Sequence, residues 1–147
     1  MPSATTASRS RTVLVDTTTA IALLLEDHAS HAAVLAAVRE RRLGLAGHAW
    51  FETYSVLTRL PPGLRRSPAD ALKLLTTNFP ATAFLDEGDA AKIGAELAEL
   101  GISGGSVYYA LVAAAARTHR RRLLSGDSRA RSTYEALGVD VERVPGW

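Results

Sequence analysis

The sequence has no cysteine, only two lysines among its 147 residues, and few aromatic residues. Without cysteine the chain can form neither a disulfide framework nor a thiolate metal site. This composition fits a reducing compartment, and we expect a cytoplasmic protein. The longest apolar stretch, residues 13–25, contains Asp16 and three threonines and is too short to span a bilayer. We therefore expect no membrane segment.

Arginine supplies most of the positive charge, since 15 of the 17 basic residues are arginine. Arginine binds phosphate through paired hydrogen bonds that lysine cannot make. The group formed by Arg117 and residues 120–122 could contact a nucleic-acid backbone, or could simply be a solvated face. Because the formal net charge is only +2, charge alone is a weak indication of a nucleic-acid partner.

Short apolar runs that are typical of buried strands alternate with segments of helical periodicity. The length, and a composition that is 47% hydrophobic and 22% charged, predict one domain with a substantial core. The alternation predicts an α/β fold with a parallel sheet of about five strands and helices on both faces. The predicted strands are residues 13–15, 43–46, 83–85, 123–124 and 139–144. Residues 1–11, rich in Ser, Thr and Arg, are predicted to be a disordered extension, and residues 12–147 to be the domain.

Three acidic residues are predicted to meet at one edge of this sheet. Asp16 ends the first strand, Asp127 follows the fourth, and Glu52 lies in the first turns of the helix after the second. Sites in open parallel sheets form beyond the carboxyl ends of the strands. Hard cations such as Mg²⁺ are held by carboxylates, waters and substrate phosphate, and can activate water for attack on a phosphodiester. The spacing therefore indicates a hydrolytic metal site.

Each acid also has a simpler explanation. Asp16 and Asp127 are both suited to cap a helix, and Glu52 could merely complement a helix dipole. Their joint placement, more than any one of them, favours a shared site. His28 and His31 are three residues apart and could bind a metal from one helix face, but without a third ligand we interpret them as a solvated helix start.

Four segments carry a family resemblance. They are VLVDT at 13–17, FETYSVLTRL at 51–60, GGSVYYALVA at 104–113 and LLSGD at 123–127. In this order and spacing they resemble the PIN-domain family, in particular the VapC toxins of bacterial type II toxin–antitoxin pairs. The resemblance implies a Rossmann-like PIN fold and cleavage of RNA with Mg²⁺ or Mn²⁺. It also implies neutralisation by a VapB-type antitoxin, and a homodimer.

The resemblance assigns Asp16, Glu52 and Asp127 as the catalytic and metal-binding acids. In the third segment, however, Tyr109 stands where the family pattern has a further catalytic aspartate. A phenol with a pKa near 10 is neutral and bulky, and it is a poor ligand for Mg²⁺. No acidic residue lies between Glu99 and Asp127 to replace the lost carboxylate. The sequence therefore predicts weakened or lost hydrolytic activity.

Three functions compete on these observations. The leading hypothesis is an endoribonuclease toxin impaired at Tyr109. A second is a non-catalytic module that binds RNA or an antitoxin, with Tyr109 as a stacking platform. A third is another phosphate-handling enzyme, such as a response-regulator-like domain. The absence of a glycine-rich phosphate loop and of paired acids after the first strand argues against the third.

Overall fold

The computed structural model describes residues 11–147, which form an α/β fold around a sheet of four parallel strands. The strands are β1 (Thr12–Val15), β2 (Arg42–Leu45), β3 (Arg122–Ser125) and β4 (Val141–Arg143). The helices are α1 (Thr17–Leu24), α2 (His31–Val38), α3 (Ala49–Thr58), α4 (Pro68–Asn78), α5 (Glu87–Leu100), α6 (Ser106–Thr118) and α7 (Arg131–Leu137), with a 3-10 helix (Ser128–Ala130) before α7. The predicted α/β class is confirmed. The predicted disordered extension lies outside the described residues, except for Arg11.

The strand order is β2-β1-β3-β4, and each neighbouring pair is parallel. The three apolar residues of β1, at positions 13–15, are fully buried, which suits a central strand covered on both faces. Val15 pairs with both Leu45 and Leu124, so β1 and β2 end at the same level and β3 ends one residue later. The residues that follow these strands therefore emerge together at one edge of the sheet.

The third predicted strand is not a strand of this sheet. Residues 83–85 contribute only a single parallel bridge, between Ala83 and Ala46. Pro80, which has no N–H to donate, lies just before the segment. Just after it, Asp86 accepts a hydrogen bond from Asp89 N at 2.7 Å and begins α5. The extended segment is thus too short to add a fifth strand.

Two helix boundaries also differ from the prediction. The second helix was predicted from residue 27 but begins at His31, because residues 27–30 form a turn in which His28 Nδ1 accepts a hydrogen bond from Ser30 N at 3.0 Å. The last predicted helix divides into the 3-10 helix and α7. None of the helices described for residues 11–147 is both long enough and apolar enough to cross a membrane.

The core uses small residues where elements approach closely. Helix α6 buries four successive alanines, residues 113–116, so its backbone can lie near the sheet. Gly44, in the middle of β2, packs directly under the backbone of Ala81, and a Cβ built on this glycine would overlap the Ala81 carbonyl group. Position 44 therefore has no room for any side chain, and glycine is required there.

Replacing Gly44 with alanine should destabilise the fold by about 3 kcal/mol, because a methyl group cannot enter this contact without moving one backbone segment away from the other. Gly94 in α5 is the matched control, since its Cβ would meet open space. Gly94→Ala should stabilise by about 0.5–1 kcal/mol, because glycine is unfavourable inside a helix. Urea unfolding followed by circular dichroism measures both changes. Equal stability of Gly44→Ala and the unaltered chain would contradict the expected clash.

Candidate active site

A cavity of about 300 Å³ opens at the carboxyl edge of the sheet. Asp16, Glu52 and Asp127 all line it, and Tyr109 lines it with them. The structure therefore brings together the four side chains that the sequence singled out, although they come from four separate segments. Which chemical role each one has stays a prediction.

Asp16 is the most enclosed of the three acids, with 3% of its surface exposed. Its Oδ1 accepts hydrogen bonds from Thr19 N at 3.2 Å and Thr19 Oγ1 at 2.6 Å, so it caps α1 while facing the cavity. Its Oδ2 accepts from Ser125 Oγ at 2.5 Å and Tyr134 Oη at 2.8 Å. Burial raises the pKa of Asp16 above its ordinary value, and these four hydrogen bonds oppose that rise only in part.

Asp127 follows β3 and is held by an arginine two residues away. Its Oδ1 accepts from Arg129 N at 3.0 Å and Nε at 3.1 Å, and its Oδ2 from Arg129 Nη2 at 3.3 Å and Thr18 Oγ1 at 3.1 Å. Burial alone would raise the pKa of Asp127, but the hydrogen bonds from Arg129 and Thr18 hold it below its ordinary value. Asp127 is thus a charged carboxylate at neutral pH.

Glu52, in the first turns of α3, has the most exposed side chain of the three acids. Its Oε2 accepts a hydrogen bond from Thr17 Oγ1 at 3.0 Å. Its Oε1 lies 3.2 Å from Nε2 of His48, one helical turn earlier. Because Thr17 begins α1 directly after Asp16, this hydrogen bond links the second acid to the first.

Tyr109, near the start of α6, presents a phenol to the same cavity. Its ring forms a T-shaped pair with that of Tyr134, with the ring centroids 6.2 Å apart and the planes at 84°. Burial raises the pKa of Tyr109 above 10.0, and the negative charge of Asp127 raises it further. The phenol is therefore neutral at physiological pH and adds no negative charge to the cavity.

The donor atoms suit a hard divalent cation, but the arrangement is incomplete. Carboxylate oxygens are the ligands that Mg²⁺ prefers. Within residues 11–147, however, no three His, Cys, Asp or Glu side chains are grouped so that they could hold a metal ion. Mg²⁺ commonly uses one or two carboxylates and completes its shell with water and substrate phosphate. The acids fit such a partial site, and the neutral phenol of Tyr109 adds no carboxylate to it.

The contacts that hold the acids in place were not found from the sequence. Thr19, Ser125 and Tyr134 orient Asp16, and Arg129 pairs with Asp127. Hydroxyl groups have no sequence signal of their own, since serine, threonine and tyrosine occur throughout the chain. The position of Ser125, two residues before Asp127, was the one available clue.

A PIN domain pattern matches residues 13–136, a span that contains all three acids and Tyr109. The chain belongs to the PIN domain family. This PIN domain protein is 50% identical over 127 residues to Ribonuclease VapC27 of Mycobacterium tuberculosis (strain ATCC 25618 / H37Rv). The match covers 86% of this chain and 93% of the relative. It is 39% identical over 133 residues to Ribonuclease VapC40 of Mycobacterium tuberculosis (strain CDC 1551 / Oshkosh), covering 88% and 96% of the two chains. The predicted relation to VapC-type proteins is confirmed.

The PIN domain also resembles a solved structure of FitAB bound to an IR36 DNA fragment. The TM-score is 0.62, and the match covers 89% of this chain and 94% of the other. At 17% sequence identity this likeness bears on the fold alone. It agrees with the predicted PIN architecture.

Proposed function

We propose that this PIN domain is a VapC-type endoribonuclease toxin that uses Mg²⁺ or Mn²⁺ and is weakened by Tyr109. The observation that carries the proposal is the cavity itself, where Asp16, Glu52 and Asp127 meet at one sheet edge beside the phenol of Tyr109. Relatives named as VapC ribonucleases match nearly the whole chain, which supports the same substrate class. An activity on cellular RNA would operate in the cytoplasm.

In this mechanism the surroundings of each acid determine its role. Asp16 and Asp127, with Glu52, would hold the divalent cation, whose positive charge stabilises the charge that develops on the phosphate. Ser125 and Tyr134 fix the Asp16 carboxylate in one orientation. A metal or catalytic site requires such support, because its side chains must be held close to the productive geometry. Glu52 has the most exposed carboxylate and is best placed to take a proton from an attacking water.

Arg129 supplies the positive charge of the cavity wall. Its guanidinium pairs with Asp127 and its side chain is 74% exposed, so it can reach a phosphate at the cavity mouth. The same pairing indicates how a partner antitoxin would bind. An arginine or lysine from the antitoxin, inserted beside the acids, would make equivalent contacts and keep RNA out. We also propose that the chain forms a homodimer, as the family resemblance implies.

Tyr109 favours a second candidate function, a module that binds RNA or an antitoxin without cutting. Its ring is half-buried and lies against Tyr134, so it is held firmly enough to offer a face to a base. Purified protein incubated with structured RNA separates the two functions. Cleavage that needs Mg²⁺ or Mn²⁺, stops with a chelator and disappears in Asp127→Asn supports the nuclease. RNA binding without cleavage under every condition supports the binding module.

The cation affinity of the unaltered chain should be at least about tenfold weaker than that of Tyr109→Asp, because one carboxylate is missing from the site. Isothermal titration with Mg²⁺ and with Mn²⁺ measures both affinities. Tyr109→Asn is the matched control, since it has the shape of the aspartate without the charge, and its affinity should stay low. Equal affinities for all three proteins would show that position 109 is not part of a metal site.

A further inference from the structure

A second cavity, of about 390 Å³, adjoins the acid cavity at the carboxyl edge of the sheet. Asp127 and Tyr134 line both cavities, so the two share a wall. Ser125 and Arg143, which end β3 and β4 and are paired in register, also line the second cavity, together with Arg131. We call it the arginine cavity. A ligand that extends past Asp127 from the acid cavity would enter it.

The two arginines of the arginine cavity have no side-chain partner within residues 11–147. Neither Arg131, at the start of α7, nor Arg143, at the end of β4, makes a side-chain hydrogen bond or ion pair with this described part of the chain. Both residues are exposed. Their positive charges line the same cavity and repel each other, and an anion between them would relieve this repulsion.

The pleat of β4 explains why Arg143 has no acidic partner. Successive side chains of a strand point to opposite faces. Val141 and Arg143 therefore share the face that lines the arginine cavity, whereas Glu142 lies on the other face. There Glu142 accepts hydrogen bonds from Arg41 Nη1 at 2.6 Å and Arg41 Nη2 at 3.0 Å. The acid next to Arg143 in the chain is thus bound by a different arginine.

The charges and the apolar surface of the arginine cavity suit a nucleotide unit. Arginine binds phosphate through paired hydrogen bonds. Of the two acids in the cavity wall, Asp127 is already paired with Arg129, at 3.1 Å, and Glu135 remains. The two arginines therefore outweigh the unpaired carboxylate. Val139 and Val141 add apolar surface against which a sugar or base can pack.

We propose that the arginine cavity binds an RNA phosphate that neighbours the phosphate lying against the acids. The inference rests on the proposed function, which supplies RNA as the substrate. Successive phosphates of an RNA strand are one nucleotide apart, and the two cavities adjoin at Asp127 and Tyr134. Contacts to phosphate fix the position and orientation of a nucleic acid. Arg131 and Arg143 would thus hold the strand in register without touching the reacting phosphate.

The basic group that the sequence suggested as a nucleic-acid contact is less suited to this role. Arg117 is paired with Glu96 at 2.6 Å, and Arg122 is paired with Asp140 at 2.9 Å. Arg122 also begins β3, so it lies at the amino edge of the sheet, away from the acid cavity. A phosphate bound there would have to compete with these carboxylates. In the arginine cavity it would displace no ion pair of the two arginines.

Fluorescence anisotropy of a labelled single-stranded RNA oligonucleotide, with a chelator present to prevent cation-dependent cleavage, tests the proposal. Arg131→Ala and Arg143→Ala should each weaken binding at least about fivefold, since each removes hydrogen bonds to a charged group. The double variant should also reduce the slope of log affinity against log salt concentration by about 0.7, the value for one phosphate contact of a single strand.

The matched control is the double variant Arg39→Ala with Arg121→Ala. It changes the net charge by the same amount, and both arginines are exposed. They lie at the amino edge of the sheet, because Arg39 comes shortly before β2 and Arg121 directly before β3. RNA affinity of this control should stay within about twofold of the unaltered chain, since long-range charge effects are screened by salt. Circular dichroism should show all variants folded.

Glu135→Gln tests the same cavity in the opposite direction. Removing this carboxylate leaves the arginine cavity more positive, so RNA binding should become about twofold tighter. Weaker binding by Glu135→Gln would mean that the carboxylate itself holds the ligand, and the phosphate assignment would be wrong.

Three further results would overturn the proposal. They are a chain that binds no RNA, RNA binding that survives both substitutions in the arginine cavity, and equal weakening by the control pair. Isothermal titration with inorganic phosphate distinguishes the two sources of a phosphate group. If Arg131→Ala and Arg143→Ala abolish binding of inorganic phosphate but leave RNA binding unchanged, the cavity takes a free phosphate and the RNA assignment fails.

Failure of this proposal and failure of the nuclease are distinguishable, because the anisotropy measurement needs no cleavage. A protein that binds RNA through Arg131 and Arg143 but never cuts it, even as Tyr109→Asp, would refute the nuclease and retain the phosphate site. A protein that cuts RNA equally well with and without the two arginines would retain the nuclease and refute the phosphate site.

Discussion

Tyr109→Asp should convert a weak or inert protein into a growth-inhibiting ribonuclease. The substitution restores a negative charge and an oxygen ligand in the cavity that Asp16 and Asp127 line. It also removes a phenol ring from the space that the proposed cation and its water would occupy. Catalysis by positioned groups is so sensitive to geometry that a small displacement costs about a hundredfold in rate. We therefore expect a gain of at least about a hundredfold in RNA cleavage.

Two control variants separate the charge effect from the crowding effect. Tyr109→Ala relieves the crowding and Tyr109→Asn mimics the aspartate shape, but neither restores the charge. Both should stay nearly inactive, while Tyr109→Asp should cut RNA in Mg²⁺ or Mn²⁺ and stop with a chelator. The measurements are cleavage of a structured RNA pool by purified protein and host growth after induction. If the unaltered chain already cuts as fast as Tyr109→Asp, Tyr109 does not impair the site.

Asp16→Asn should have two large and opposite effects: loss of the activity that Tyr109→Asp confers, and a more stable fold at neutral pH. The stability gain follows from burial, which raises the pKa of Asp16 and so penalises its charged form in the folded state. Asparagine keeps an oxygen for Thr19. Its amide can donate to Ser125 and Tyr134, whose hydroxyl groups can rotate to accept. We expect a gain of about 1 kcal/mol at pH 7 without divalent cations.

The stability gain of Asp16→Asn should decrease as the pH falls. A carboxyl whose pKa is raised by folding destabilises the fold at high pH, and this penalty disappears as the pH falls through the raised value. The advantage of Asp16→Asn should therefore shrink on acidification and vanish below the ordinary pKa of 3.8. Urea unfolding across a pH series, with a chelator present, measures it. An advantage that grows as the pH falls would mean that the Asp16 pKa is not raised.

The sequence was sufficient to predict where the acids lie, because that follows from a simple rule. Residues after β1 and β3 and at the start of α3 must emerge at one edge of a parallel sheet, and Asp16, Asp127 and Glu52 do line one cavity there. The cap interpretation of Asp16 and Asp127 was correct as well, since both accept hydrogen bonds from helix-start N–H groups. Each of these two aspartates therefore caps a helix and lines the cavity at the same time.

What the sequence did not predict depends on distant contacts. The hydrogen bonds from Ser125 and Tyr134 to Asp16 span 109 and 118 residues, and local periodicity carries no information at that separation. Residues 83–85 have the composition of a strand, yet flanking backbone limits them to one bridge. The contact between the rings of Phe51 and Phe84 was missed for a related reason, since the two residues come together only when the fold is complete.

The hydrogen bonds around Asp16 also determine when the site forms. Four donors from within the chain already satisfy both oxygens of this carboxylate, and they belong to α1, β3 and α7. The carboxylate therefore helps to tie three elements together before any cation or RNA arrives. A cation that binds beside it meets an acid already held in place. In the proposed nuclease a cation would then contribute chemistry and not folding, so a chelator should abolish the RNA cleavage by Tyr109→Asp without unfolding the protein.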